Sequence, residues 1–219
     1  DCYYPTNPEA FLLDVDDYFT KFNPYRSEQV LLGIEIGLQK QVVELNQKLI
    51  TKYPFDEVIG SIHCMNGRDI YEPHTYEGIT KVQALEEYLL ESIANIKLFS
   101  DFDILGHIDY ICRYMPYDDS ELYYEEFPEL WDELFKLLID KKKVLEINTR
   151  RLASDKAVMT LTILYKRYKE LGGLYVTIGS DAHYKEHVGR NFNLARKIAA
   201  DCQLQLVYFK NRKMIIAEE

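Results

Sequence analysis

Residues 177–189, TIGSDAHYKEHVG, place an aspartate and a histidine two positions apart, just after an apolar run that stops at a glycine. Asp181 and His183 have the donor types of a divalent-metal site, and those types recur at the ends of other apolar runs. Glu35 sits in LGIEIG, His63 ends VIGSIH, His107 lies in FDILGHI, and Glu146 and Asn148 close KVLEIN. Each alone has a plainer reading. A histidine at a strand end is usually a satisfied turn or core residue, and Asp181 could cap a following helix. Glu35 is harder to set aside, because a carboxylate between two isoleucines should be buried. An unpaired buried carboxylate is costly, so a cation or a dense shell of donors is expected beside it.

Arginines supply a second kind of signal. Arg113 follows the third run in HIDYICRY and Arg150 the fourth in EINTRR. Most loop arginines face water, but these two belong to the same set of strand ends, and guanidinium forks match phosphate oxygens bidentately. A nest of imidazoles and carboxylates for Zn, Mn or Fe, beside an arginine clamp, is the makeup of a phosphomonoester-hydrolysing site. No Walker-type loop or GxSxG elbow suggests a competing chemistry. Of the other histidines, His74 in YEPHTYEG reads as a turn-rich surface loop and His187 as the start of a helix.

The elements that must position these groups alternate in type. Apolar runs at 30–36, 58–63, 102–108, 143–148, 174–181 and 205–209 predict six strands. Between them Val82, Leu85, Leu89, Ile93 and Ile96 recur at helical spacing, as do Leu130, Leu134, Leu137 and Leu138. Leu161, Leu164, Tyr165, Tyr168 and Leu171 form a third such face, stopped by Gly172-Gly173, and 193–202 a shorter helix. Repeated strand-helix-strand predicts an α/β fold with parallel pairing and right-handed crossovers. Continuously apolar strands imply that both sheet faces are covered, as in a barrel or doubly wound sheet. In a barrel, the ends of the first five runs would converge on one mouth.

Length and composition bound the rest. A chain of 219 residues, 47% hydrophobic, fits a single domain with one sizeable core. A formal net charge of −10 disfavours nucleic acid and acidic membrane surfaces as partners. Cys2, Cys64, Cys112 and Cys202 lack CxxC spacing and read as reduced thiols of a cytoplasmic protein. There is neither a bilayer-length apolar run nor a signal-type start.

The segments LGIEIG, IGSIHCMNGRDIY, DILGHIDYICRY, EINTRR and IGSDAH resemble, in order and spacing, the PHP (polymerase and histidinol phosphatase) superfamily. Within it they are most similar to the histidinol-phosphate phosphatases of histidine biosynthesis. The resemblance runs from about residue 30 to about 190 and implies a distorted (β/α)7 TIM-like barrel with a trinuclear divalent metal centre, zinc first and Mn or Fe next. It implies that Glu35 bridges two metals, His63 and His107 complete the second, Asp181 ligates the first and His183 the third. Arg113 and Arg150 resemble the phosphate-binding arginines. The leaving-group proton would come from a metal-bound water or from an acid such as Asp181 or His183, and the sequence does not choose among them. The substrate would be a small phosphate ester, its organic part held by an acidic, tyrosine-rich wall drawn from 71–78 or 113–119. Other members of the superfamily, acting on nucleotides or small phosphates, would share every ligand. An amidohydrolase is disfavoured by the lack of a lysine ending KVLEINTRR. The family's early H-x-H motif and two further histidines are not in this sequence, and DCYYPTNPEAF reads as a loop leaving a strand. The expectation is therefore a barrel lacking its first strand or two, or a metal-poor remnant if the ligands are absent from the gene.

Overall fold

Seven strands form one sheet in the computed structural model, which describes residues 12–217; Cys2 and the opening segment DCYYPTNPEAF lie outside them. The strands are β1 (Gly33–Gly37), β2 (Glu57–Ser61), β5 (Ile104–Leu105), β6 (Val144–Asn148), β7 (Tyr175–Gly179), β8 (Gln205–Lys210) and β9 (Lys213–Ile216). Their spatial order is β1-β2-β5-β6-β7-β8-β9, with a separate antiparallel hairpin of β3 (Cys64–Met65) and β4 (Arg68–Asp69) above the sheet. All pairings from β1 to β8 are parallel, each crossover carrying a helix: α2 (Val43–Lys52), α3 (Lys81–Leu98), α4 (Pro128–Asp140), α5 (Asp155–Glu170) and α6 (Phe192–Asp201). An additional helix, α1 (Val15–Phe22), precedes β1.

The helices begin where local chemistry satisfies their free amides. Thr80 and Gln83 form a reciprocal capping box on α3, the Ser154 hydroxyl accepts from Ala157 N–H on α5, and Pro128 opens α4. Gly172, at φ +106, ends the crossover after α5, a conformation that favours glycine.

Six strands were expected, and six are present in parallel; β9 was not foreseen. It pairs antiparallel with β8 through a turn in which Asn211 and Arg212 are both left-handed, φ 51 and 61. That is the twist a two-residue hairpin needs, but an Asn-Arg pair is a weak turn signal. The third strand also shrinks from the expected 102–108 to two residues, because beyond it the His107 N–H turns to the Glu146 side chain. His187 lies in a three-residue 3-10 turn, 185–187, and does not begin a helix. His74 is exposed, as its loop setting implied. Cys64, Cys112 and Cys202 are buried free thiols.

Alternation along the strands separates two environments. Val58, Leu105, Leu145, Ile147 and Val176 join the large core under the helices, whereas Ile104, Val144, Val207 and Phe209 form a small cluster on the opposite face of the sheet. Glu57, Glu146, Asn148 and Gly179 have the parity of this second face, so it carries polar groups at both ends of an apolar belt. At the amino-terminal end, burial pushes the Glu57 carboxyl up to about 7 from the usual 4.5, reinforced by the charges of Glu146, Asp103 and Asp56. A raised acid binds more protons folded than unfolded, so the native state loses stability as pH climbs from 4.5 to about 7. Glu57→Gln is expected to match the wild type at pH 4 and to exceed it at pH 8 by on the order of 2 kcal/mol in urea titrations. A gap that did not depend on pH would contradict this assignment.

Candidate metal and phosphate site

Three donor atoms from three strand ends meet at one point. Glu35 Oε1 lies 3.0 Å from His107 Nε2 and 3.2 Å from His63 Nε2, and the two ring nitrogens are 3.3 Å apart. Ligands ~2.0–2.1 Å from a tetrahedral zinc stand roughly 3.3 Å from one another, so these spacings are those of one face of such a site. The donor set, two imidazoles and a carboxylate, leaves a coordination position open, as catalytic sites do. Glu35, His63 and His107 could therefore hold a divalent cation. Partial loss of hydration at the cavity wall would alone raise the Glu35 carboxyl, but hydrogen bonds from His107 and His63 hold it well below the ordinary range. It is thus an anion ready to accept a metal.

One expectation about Glu35 needs correction. Its side chain is not buried between isoleucines but retains 39% exposure, opening into a cavity of about 430 Å³. Alternation explains it: Ile34 and Ile36 point to the helix side, and Glu35 points the other way. The flanking residues gave no measure of burial on its own face.

Asp181, His183, Arg113 and Arg150 line the same cavity. Asp181 Oδ2 accepts from Arg113 Nη1 at 2.6 Å, Arg150 Nη1 lies 3.7 Å from the same oxygen, and His183 Nε2 is 3.2 Å from Oδ1. Burial would raise the Asp181 carboxyl, but the Arg113 guanidinium keeps it below the usual range. Asp181 has φ +49, a left-handed backbone that surrounding contacts must hold in place. Of the five expected metal donors, three meet closely; Asp181 and His183 form a second pair on the same wall, and His183 is 67% exposed. Glu146 and Asn148, noted in the sequence as potential ligands, lie outside the triad and hydrogen-bond to its surroundings.

The packing around these groups was not legible beforehand. Tyr110 packs against both imidazoles with its ring tilted, centroids 4.7 Å from His63 and 4.8 Å from His107, and lies 5.2 Å from the Arg113 guanidinium carbon. Burial pushes its phenol up, so it stays neutral. Asp69 from the small hairpin, Tyr71 and Tyr114 complete the cavity wall. Tyr71 and Tyr114 come from the two segments expected to hold an organic group, whereas Asp69 gave no signal because the β3–β4 hairpin is too short to read from alternation.

The carboxyl ends of parallel strands, a His-His-Glu triad and an adjacent arginine pair define an α/β fold with a candidate metal site at its strand ends. A model of the PHP domain family matches residues 9–150, and the chain belongs to this family. It is 46% identical over 214 residues to a probable histidinol-phosphatase of Clostridium acetobutylicum, covering 98% of this chain and 84% of that protein. It is 30% identical to the histidinol-phosphatase of Lactococcus lactis, over 90% of this chain and 75% of the relative. The crystal structure of the L. lactis histidinol phosphate phosphatase, complexed with zinc, L-histidinol and phosphate, superposes with a TM-score of 0.85 at 28% identity, covering 94% of this chain and 81% of that one. Among the described residues no helix is long and apolar enough to cross a membrane.

Proposed function

We propose that the protein is a metal-dependent phosphomonoesterase that hydrolyses L-histidinol phosphate to L-histidinol and inorganic phosphate in a cytoplasmic biosynthetic route. The observation that carries the reading is the convergence of Glu35, His63 and His107 within 3.3 Å of one another, beside two arginines already gathered on an anionic oxygen. The names and bound ligands of the relatives support the choice of substrate.

Glu35, His63 and His107 hold one divalent cation, zinc by donor type, and Asp181 with His183 extend the set toward the trinuclear centre that the family resemblance implies. When bound, such ions supply a Lewis acid that acidifies water and offsets phosphate charge. Arg113 and Arg150 bind the phosphate: both already reach Asp181 Oδ2, so that corner stabilises anionic oxygen, and two forks fix the orientation of a dianion. Asp69, Tyr71 and Tyr114 offer the organic part an acidic and aromatic wall suited to a cationic amine and an imidazole. Asp181, held ionised by Arg113, is a poor proton donor, so the proton for the leaving oxygen comes from His183 Nε2 if that nitrogen holds no cation, and from a water of the site if it does.

The test uses the full-length gene product, stripped of metal and titrated with Zn²⁺, with phosphate release measured on histidinol phosphate and on p-nitrophenyl phosphate. Zinc-dependent release with a strong preference for histidinol phosphate is expected. Equal rates on both esters would reject the substrate, and metal-independent release would reject the mechanism. Elemental analysis decides the role of His183: three ions per chain make it a ligand, and one or two leave it as the proton carrier.

A further inference from the structure

Between the triad and the arginines lies a buried pair that neither group contains. Glu146 and Asn148, only 5% and 4% exposed, stand two residues apart on β6 and so share one face of it. Glu146 Oε2 accepts from the His107 backbone N–H at 2.8 Å and from Asn148 Nδ2 at 3.0 Å. The other end of the amide, Asn148 Oδ1, accepts from Arg113 Nη2 and from the Arg150 backbone N–H, both at 3.1 Å. Each end of the amide thus has partners of one kind, which fixes its orientation.

The neighbouring strand β7 leaves room for this pair at Gly179. A Cβ on Gly179 would overlap Glu146 Oε1, and one on Gly106 would come 2.6 Å from Ser61 Oγ and 3.7 Å from Glu146 Oε2. Burying a carboxylate against the backbone of Gly179 is unfavourable for stability alone. What the arrangement gains is a short rigid connection from a cation-holding histidine to both phosphate-holding arginines.

We infer that Glu146 and Asn148 are positioning residues that set the distance between the metal ligands and the arginine pair, Glu146 acting through the His107 backbone and Asn148 through Arg113 and Arg150. This rests on the phosphomonoesterase reading. It assigns the two residues separable effects: Asn148 governs how phosphate is held, and Glu146 governs both that and metal retention.

The test compares Glu146→Gln, Glu146→Met, Asn148→Ala and Gly179→Ala in the full-length protein, measuring kcat and KM separately and zinc retention against a competing chelator. Glu146→Met, which keeps the volume but removes the acceptor, is expected to lower kcat/KM and zinc retention by roughly 10–100-fold each. Glu146→Gln recovers most of both, since its amide oxygen still accepts the two donors. Asn148→Ala raises KM by roughly tenfold while zinc retention stays near wild type. Gly179→Ala, which displaces the carboxylate without touching its chemistry, behaves like Glu146→Met. The inference is overturned if the Gln and Met variants are alike, or if Asn148→Ala loses zinc as readily as Glu146→Met. A wild-type protein that binds zinc but releases no phosphate would sink the parent reading alone, because zinc retention in the two Glu146 variants still decides this one.

Discussion

Glu35→Gln is expected to reduce zinc-dependent phosphate release by roughly a thousandfold, the ~4 kcal/mol that losing metal-based charge stabilisation implies. Glu35 Oε1 contacts both imidazoles, at 3.0 and 3.2 Å, and is the only anion of the triad. The glutamine keeps the length and one acceptor oxygen but removes the charge that offsets a dication's loss of water. Because the side chain is 39% exposed, the substitution leaves no buried void, so the fold should persist. Zinc content by elemental analysis should fall in step with activity. A variant that binds stoichiometric zinc and turns over at the wild-type rate would show that the cation lies elsewhere.

Arg151→Met is expected to cost roughly 3–5 kcal/mol of unfolding free energy, because removing one partner of a buried ionic cluster leaves the others uncompensated. Arg151 Nη1 donates to Asp109 Oδ2 at 3.0 Å and Nη2 to Glu121 Oε1 at 2.5 Å, while the Thr160 hydroxyl donates to Glu121 Oε2 at 3.2 Å. Asp109 and Glu121 are 2% and 6% exposed. This cluster ties the loop after β5, which carries His107 and Arg113, to the loop after β6, which carries Arg150, and to α5. Chemical denaturation followed by circular dichroism measures the cost. A midpoint equal to wild type would mean that Asp109 and Glu121 find other donors or take up protons. The neighbour of Arg150 therefore looks inward to the scaffold, a difference that the doublet RR in EINTRR does not disclose.

Much of the site was legible because its chemistry recurs at equivalent places. Glu35, His63, His107 and Asp181 each fall at or near the end of an apolar run, and parallel pairing brings such ends to one rim. The four later helices were readable from apolar spacing. By contrast α1 and α2 are only 8 and 10 residues long: Val15, Tyr18, Phe19 and Phe22 do recur at helical spacing in α1, but over two turns with no partner pattern beside them, and α2 buries only Asn46 and Ile50. β9 was missed because its four residues form an edge strand with three of them exposed. Asp69 was missed because it becomes a cavity residue only when a four-residue excursion, 66–69, folds back over the His63 rim.

The sequence by itself determined the class of fold, the donor types and their attachment to successive strands, since these depend on local periodicity and side-chain chemistry. Only the tertiary structure decided which donors meet, through strand register and parity. Register sets Glu35 opposite Ile59, so that its carboxylate reaches the imidazoles that follow β2 and β5. Parity turns Glu146, Asn148 and Gly179 to one side of the sheet, where a carboxylate, an amide and the space left by a missing side chain fit together. Such coincidences depend on separations of a few ångströms between residues tens of positions apart, and no local pattern encodes them.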